Sequence, residues 1–158
     1  MKKAVFAGTF DPLTLGHEKV IEKCSKLFDS VVVALCVNAS KTAYFSVETR
    51  LEIIKAACKK YANVEVVYHE GYLVDLMKER GIIYTVRGVR NDSDYLYETN
   101  MHAVNKSLYS SVETIFMPCD SEFKDISSTN AKKAIENGED LTKYLSSEVI
   151  KIISKAKA

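Results

Sequence analysis

The chain alternates between short apolar runs and longer stretches in which apolar residues recur every three or four positions. Residues 31–37 form an unbroken apolar run rich in β-branched side chains, which is typical of a strand buried on both faces. Similar runs predict four more strands, at residues 4–7, 64–68, 82–89 and 112–117. The stretches with helical spacing predict helices between and after them, the first at residues 18–28.

Capping residues mark the ends of the later helices. Ser46 is an N-cap for the second helix, and the third, Leu73 to Arg80, is stopped by Gly81. The remaining boundaries are Asp92 or Ser93 at the start of a helix that runs to about Leu108, Ser127 and Ser128 at the start of one that ends at Asn137 and Gly138, and Ser146 or Ser147 at the start of the last.

This order of elements, βαβαβαβαβαα, predicts an α/β fold. We expect a Rossmann-like five-stranded parallel sheet with helices on both faces and right-handed crossovers. The sequence contains no internal repeat, linker or low-complexity segment. Residues 1–158 are therefore expected to form a single domain.

Composition narrows the possible functions. The chain has 158 residues, 47% hydrophobic and 27% charged, which is ordinary for one globular domain. Its net charge of +1 favours neither nucleic acid nor an anionic membrane. No apolar run reaches the ~20 residues of a membrane helix, and the N-terminus lacks a signal peptide, so we expect a cytoplasmic protein. The four cysteines, Cys24, Cys36, Cys58 and Cys119, lack metal-binding spacing, and no metal ligands are predicted.

The segment Gly8 to His17, with sequence GTFDPLTLGH, lies between the first predicted strand and the first predicted helix. Ligands of open α/β sheets bind at this position, and a helix N-terminus there favours phosphate. An imidazole at His17 can donate a hydrogen bond to a phosphoryl oxygen. The glycines do not have the spacing of a dinucleotide-binding fingerprint, and there is no Walker A lysine. The alternative is a simple capping turn with a surface histidine.

Other polar residues follow the remaining strands and should meet this segment at the same edge of the sheet. Lys41 follows the second strand, and Arg87 and Arg90 follow the fourth. Arg87 ends an apolar strand, where an unpaired guanidinium would be costly, and a phosphate would satisfy its planar fork. Residues 127–129, Ser-Ser-Thr, are either a helix cap or a phosphate cradle, and the two roles are compatible.

Several of these motifs resemble known signatures. Residues 14–17, Thr-Leu-Gly-His, resemble the T/HxGH signature of the nucleotidylyltransferase superfamily. Together with Gly8 to Pro12, Arg87 to Arg90, Asp94-Tyr95-x-Tyr97-Glu98 and Ile126 to Thr129, in order and at matching spacing, they resemble the bacterial phosphopantetheine adenylyltransferase family. The resemblance runs from the first strand to the final helix. Ala7, Leu15 and Phe123 depart from residues common in that family.

The resemblance implies an enzyme of coenzyme A biosynthesis. Such an enzyme transfers AMP from ATP to 4′-phosphopantetheine, with Mg²⁺ on the ATP, and releases pyrophosphate and dephospho-coenzyme A in the fourth of five steps. Coenzyme A is the implied inhibitor, and the implied assembly is a homohexamer of two trimers. Neither nucleic acid nor a membrane is an expected partner.

The resemblance also assigns roles to individual residues. The implied catalytic residues are Thr9, His17, Lys41 and Arg87. The implied ATP-binding residues are Thr9, Phe10, His17, Gly88, Val89, Arg90, Glu98, Phe123, Lys124, Asp125, Ile126, Ser127, Ser128 and Thr129. The implied phosphopantetheine-binding residues are Thr9, Lys41, Leu73, Arg87 and Asn105.

Three other functions share part of this pattern. A related nucleotidylyltransferase acting on nicotinate mononucleotide or glycerol 3-phosphate would share the first motif but lack residues 87–90 with Tyr97 and Glu98. A catalytically silent nucleotide-binding or assembly protein on the same fold is disfavoured by four intact residues, Thr9, His17, Lys41 and Arg87. A class I aminoacyl-tRNA synthetase fragment is disfavoured because there is no KMSKS-like loop.

Overall fold

A computed structural model of the chain describes residues 1–37 and 40–156. The strands are β1 (Lys3–Gly8), β2 (Ser30–Val37), β3 (Val64–Glu70), β4 (Tyr84–Val89) and β5 (Glu113–Pro118). The helices are α1 (Leu15–Leu27), α2 (Val47–Cys58), α3 (Leu73–Arg80), α4 (Asp92–Leu108), α5 (Ser128–Asn137) and α6 (Ser147–Ala156). Two short 3₁₀ helices, Ser121–Phe123 and Leu141–Lys143, precede α5 and α6.

The five strands form one parallel sheet in the order β3-β2-β1-β4-β5. The strand β1 is central: Ala4 pairs with Val31 of β2 on one side and with Tyr84 of β4 on the other. The chain moves outward from β1 in one direction and then returns to its other side. This reversal opens a crevice at the carboxyl end of β1, where ligands of such sheets bind.

Apolar cores cover both faces of the sheet. Because side chains alternate along a strand, Phe6 and Val33 belong to a core with α1, α2, α5 and α6, whereas Val5 and Val32 belong to a second core with α3. The two-faced burial explains the unbroken apolar run of β2. The predicted α/β fold with a five-stranded parallel sheet and helices on both faces is confirmed.

Some predicted boundaries were wrong, each for a local reason. Helix α1 begins at Leu15 instead of residue 18, because Thr14 is its N-cap. Strand β4 begins at Tyr84 instead of residue 82, because the Ile82 N–H closes the last turn of α3 by donating to Met77 O (2.8 Å). Helix α4 is capped by neither Asp92 nor Ser93.

The cap of α4 is instead Asn91, whose side chain accepts from the Asp94 N–H (2.9 Å). Strand β5 is likewise displaced by one residue, because the Val112 N–H donates to Tyr109 O in the preceding turn. None of the helices in the described ranges is long and apolar enough to cross a lipid bilayer.

Candidate active site

The segment between β1 and α1, residues 9–14, is held by a side chain of α2 and by backbone N–H groups of the segment before α2. The Asp11 carboxylate accepts from the backbone N–H groups of Tyr44 (2.8 Å) and Phe45 (2.9 Å). The Arg50 guanidinium donates to Thr9 O at 3.0 Å. Both side chains belong to buried residues, with Asp11 7% and Arg50 3% exposed. These contacts hold the first half of the segment in place.

Two further contacts fix the second half of the segment. The Ser128 hydroxyl at the start of α5 donates to Pro12 O (2.9 Å), and the Leu15 N–H donates to Tyr144 O (2.9 Å). Phe10 adopts a left-handed backbone with φ of +43°, which an L residue rarely does. Its ring is buried against Phe6, so burial of a large aromatic side chain offsets the backbone strain.

His17 is part of the cap that begins α1. The Thr14 hydroxyl accepts from the His17 N–H (3.5 Å), and the Thr14 N–H donates to His17 Nδ1 (3.0 Å). This reciprocal pair is a capping box in which histidine occupies the third helical position. Since Nδ1 accepts a hydrogen bond, the proton of the neutral ring lies on Nε2. The ring also packs edge-on against Phe10, with centroids 5.2 Å apart.

The surroundings of His17 keep its imidazole neutral. Burial, with the positive charges of Arg87 and Arg90, lowers its pKa from 6.5 to about 4. At neutral pH the ring is therefore an uncharged donor through Nε2–H. The hydrogen bond to Nδ1 and the low pKa lead independently to the same protonation state.

A first cavity of about 360 Å³ opens at the carboxyl ends of β1 and β4. His17 lies on its wall, together with most of the residues that the resemblance assigns to ATP. These are Thr9, Phe10, His17, Gly88, Arg90, Glu98, Phe123, Ile126, Ser127, Ser128 and Thr129. Three other assigned residues, Val89, Lys124 and Asp125, do not line it.

A second cavity of about 750 Å³ lies between α3 and α4. Of the residues assigned to phosphopantetheine, Thr9, Leu73, Arg87 and Asn105 line it. Lys41 is exposed and lines neither cavity. The two cavities meet at a common wall, which consists of Ala7, Gly8, Thr9, Arg87 and Glu98. Two molecules, one bound in each cavity, would therefore meet at Thr9 and Arg87.

Arg87 corrects one step of the sequence argument, because its guanidinium is already paired within the chain. It donates to both carboxylate oxygens of Glu98, at 2.9 and 2.8 Å, and to Ala7 O. Glu98, predicted to bind ATP, is thus first of all the partner that orients Arg87. Three of the five guanidinium N–H groups are used in this way, and one remains on each terminal nitrogen. Arg87 can still bind a phosphate, but it does not need one to be paired.

Residues 127–129 act mainly as a cap. The Ser127 side chain accepts a hydrogen bond from the Asn130 N–H (3.0 Å), and the Ser128 hydroxyl donates its hydrogen bond to Pro12 O. A phosphate at the start of α5 could still accept hydrogen bonds from the first free N–H groups of the helix and from the Thr129 hydroxyl. Ser127 therefore forms the predicted cap, and the compatible role of residues 127–129 as a phosphate cradle stays a prediction.

Two kinds of residue were missed from the sequence. Lys19 and Lys23 line the first cavity beside Gly16, on one face of α1 at helical spacing. That spacing was a usable signal, but the predicted helix began too late to include Gly16. Asp11 and Arg50 were missed because their partners are backbone groups in other segments, which leave no pattern in a sequence.

Comparison with known proteins agrees with this geometry. The cytidylyltransferase-like family model matches residues 5–134. A phosphopantetheine adenylyltransferase from Limosilactobacillus reuteri is 41% identical over 155 residues, covering 98% of this chain and 90% of that protein. Proteins of the same name from Thermotoga neapolitana and Clostridium botulinum are each 39% identical, over 95% and 98% of this chain and 93% and 94% of their own lengths.

A solved structure from Vibrio parahaemolyticus, described as a nicotinate-nucleotide adenylyltransferase, superposes with a TM-score of 0.74. It covers 98% of this chain and 93% of its own, but at 21% identity it shows the shared fold alone. Family membership therefore rests on the family model and on the relatives near 40% identity. The chain belongs to the cytidylyltransferase-like family and, within it, to the phosphopantetheine adenylyltransferases.

Proposed function

We propose that this chain transfers AMP from ATP to 4′-phosphopantetheine and releases pyrophosphate and dephospho-coenzyme A. The observation that carries the proposal is the meeting of two cavities at Thr9 and Arg87, with the neutral His17 on the wall of the first. The first cavity takes ATP and the second takes the arm of the acceptor. The common wall is where the acceptor phosphate would approach the α-phosphate of ATP.

The attacking group needs no general base. A phosphate monoester has a second pKa of ~6 and is largely a dianion at neutral pH. The task of the site is to align two anions and to stabilise charge on the α-phosphate as pyrophosphate leaves. His17 suits this task because its Nε2–H is a fixed donor. Its Nδ1 is held by Thr14, so the ring cannot turn to present an acceptor to the phosphate.

The cations divide between the two substrates. The two remaining N–H groups of Arg87 would bind the acceptor phosphate, and the family resemblance assigns Lys41 to the same phosphate. Lys19, Lys23 and Arg90 line the first cavity and offset the charge of the triphosphate. The free N–H groups at the starts of α1 and α5 add to this field.

We also propose that Mg²⁺ enters as part of the ATP substrate. Within residues 1–37 and 40–156, no group of three or more His, Cys, Asp or Glu side chains is placed to hold a metal ion. The acidic side chains around the first cavity are already paired: Asp94 with Arg90, Glu98 with Arg87, and Asp120 with Lys23. The triphosphate oxygens would therefore supply the ligands that the protein does not.

The cytoplasm is the proposed location. All four cysteines are free thiols, and Cys24 and Cys58 are buried in the core. Unpaired thiols are the usual state of cysteine in a reducing compartment.

Substitutions at the site should separate transition-state stabilisation from acceptor binding. His17→Ala should lower kcat by ~10²–10³ and change KM for ATP by only a few-fold, because its donor acts on charge that develops during transfer. Lys41→Ala and Arg87→Ala should chiefly raise KM for 4′-phosphopantetheine, with some loss of kcat from poorer alignment. The measurement is pyrophosphate release with ATP, Mg²⁺ and 4′-phosphopantetheine.

The same assay tests the function itself. Nicotinate mononucleotide, or glycerol 3-phosphate with CTP, should give no pyrophosphate in place of 4′-phosphopantetheine. Activity with one of these acceptors and none with 4′-phosphopantetheine would overturn the proposed reaction. Equal effects on KM alone from all three substitutions would show instead that His17 only binds substrate.

The protonation state of His17 can be measured directly. In the ligand-free protein its imidazole should titrate with a pKa of about 4, because burial disfavours the charged ring and Arg87 and Arg90 oppose a further positive charge. Nitrogen-detected NMR between pH 8 and 4 should show an unprotonated Nδ1 and a protonated Nε2 until that midpoint. His17→Gln assigns the signal.

The low pKa of His17 also has a consequence for stability. Because the folded pKa lies below that of the unfolded chain, the imidazole contributes stability above pH 6.5 that is lost as pH falls toward 4. His17→Gln should flatten this part of the pH dependence of unfolding. A midpoint near 6.5 in the NMR titration would contradict both expectations.

Coenzyme A should bind and inhibit, because it is the reaction product with one additional phosphate. A molecule of that shape can extend across the residues that the two cavities share and occupy both cavities at once. Isothermal titration calorimetry should show binding that 4′-phosphopantetheine reduces by competition. Absence of heat, or binding that the acceptor does not affect, would count against this proposal.

The chain should assemble into a homo-oligomer, with a hexamer of two trimers as the proposed state. Helix α4 exposes Tyr97 (61%), Met101 (36%), Val104 (48%) and Leu108 (45%), which lie at helical spacing on one side. An apolar stripe of this kind marks a contact surface, and a second copy of the chain is its proposed occupant. Light scattering should give a mass well above 17.7 kDa.

A charge in the stripe should weaken the assembly. Leu108→Glu should lower the mass measured by light scattering, whereas Leu27→Glu, on the exposed side of α1, should not. A monomer mass for the unmodified protein at micromolar concentration would show that the stripe is not a subunit interface.

A further inference from the structure

The floor of the second cavity contains polar groups that the proposed chemistry does not use. Thr85, His102 and Thr114 all line this cavity, on β4, α4 and β5 respectively. The phosphate end of the cavity is explained by Arg87 and Thr9. Thr85, His102 and Thr114 lie away from that end, and no role has yet been assigned to them.

Among these three residues, Thr85 gives the strongest indication of a binding role. The residue is 1% exposed, and its Oγ1 has no hydrogen-bond partner among the described residues. Buried hydroxyl groups are nearly always paired, because an unpaired one has lost water without compensation. Because Thr85 lines the second cavity, a molecule bound there that reaches the hydroxyl would supply the missing partner.

Thr114 lies directly beside Thr85, since the two residues pair in the register between β4 and β5. Its Oγ1 is 2.9 Å from Nδ1 of His102. In either direction of that hydrogen bond, Thr114 Oγ1 keeps a lone pair that can accept another. His102 precedes Asn105 by three residues, and both line the cavity from the same face of α4.

The position of this group relative to Arg87 indicates what it would meet. Thr85 and Arg87 are two residues apart on one strand, so their side chains leave the same face of the sheet, separated by ~7 Å. An acceptor with its phosphate at Arg87 would place the following few atoms of its arm over Thr85 and Thr114. In 4′-phosphopantetheine those atoms carry a hydroxyl and then an amide.

We propose that Thr85 and Thr114, with His102 holding Thr114 in place, form a subsite that binds an amide group of the acceptor. The Thr85 hydroxyl donates to the amide carbonyl, and Thr114 Oγ1 accepts from the amide N–H. This inference rests on the proposed function and adds a determinant of acceptor specificity away from the reacting atoms. It makes Thr85 and Thr114 binding residues and His102 a positioning residue.

The test compares hydroxyl and methyl groups of the same shape. Thr85→Val and Thr114→Val should each raise KM for 4′-phosphopantetheine about three- to tenfold, the expected effect of losing one neutral hydrogen bond. Both variants should keep kcat and KM for ATP. Thr114→Ser retains the hydroxyl and should restore the normal KM. Thr99→Val, on α4 but outside both cavities, is the matched control and should change neither constant.

Thermal unfolding of the ligand-free protein provides a second readout. Thr85→Val should unfold at the same or a higher temperature than the unmodified protein, because it removes a hydroxyl with no partner. The variant would then be at least as stable and yet weaker in acceptor binding, a combination that a purely structural hydroxyl cannot produce.

The outcomes separate the inference from the function on which it rests. If the unmodified protein makes no dephospho-coenzyme A, the proposed function fails and the subsite fails with it. If it makes product but Thr85→Val and Thr114→Val leave KM for 4′-phosphopantetheine unchanged, the function stands and the subsite is wrong. A lower unfolding temperature for Thr85→Val would show that the hydroxyl has a structural partner, which would also overturn the proposal.

Discussion

The site depends on a buried carboxylate that accepts backbone hydrogen bonds. Asp11 receives the N–H groups of Tyr44 and Phe45 and lies 3.7 Å from the Lys132 ammonium. A buried carboxylate is costly unless it is paired, and hydrogen bonds to a charged group contribute about 1.5–3 kcal/mol each. Any movement of residues 9–14 would break these bonds within the core. The segment that carries Thr9 and leads to His17 is therefore held in place by contacts within the chain and does not need a substrate to position it.

A partly buried charge pair fixes the boundary between the two cavities. Arg87 and Glu98 form a bidentate pair that closes one side of both. Such a pair contributes little net stability, because desolvation of the two ions offsets their attraction. The pair matters here for its geometry. Glu98 fixes the plane of the Arg87 guanidinium and therefore the orientation of the two N–H groups that remain on it. An unpaired arginine would have to be ordered by the substrate at an entropic cost.

Local signals and strand topology were readable from the sequence, whereas contacts between distant segments were not. The ends of α3 and α5 were predicted because Gly81 and Gly138 adopt left-handed caps that favour glycine. The convergence of segments 9–17, 87–90 and 127–129 followed from parallel strands, whose carboxyl ends share one edge. The start of α1 was misplaced because Gly16 resembles a loop residue. Glu98 was assigned to ATP by the family resemblance alone, and its pairing with Arg87, eleven residues away on another element, leaves no sequence pattern.

The cap of α1 shows how one residue can serve folding and chemistry together. The third helical position of a capping box is ordinarily Glu or Gln, whose side chain accepts from the N-cap N–H. A glutamate at position 17 would make the same cap but would present a carboxylate to the phosphates in the first cavity. Glutamine would keep a donor, but its flexible amide could rotate between oxygen and nitrogen. Histidine accepts with Nδ1 and donates with Nε2 on opposite sides of a rigid ring, so the bond that begins the helix also orients the donor toward the cavity. Burial of the ring, with the charges of Arg87 and Arg90, then suppresses its protonation, which preserves the lone pair on Nδ1 that the cap requires.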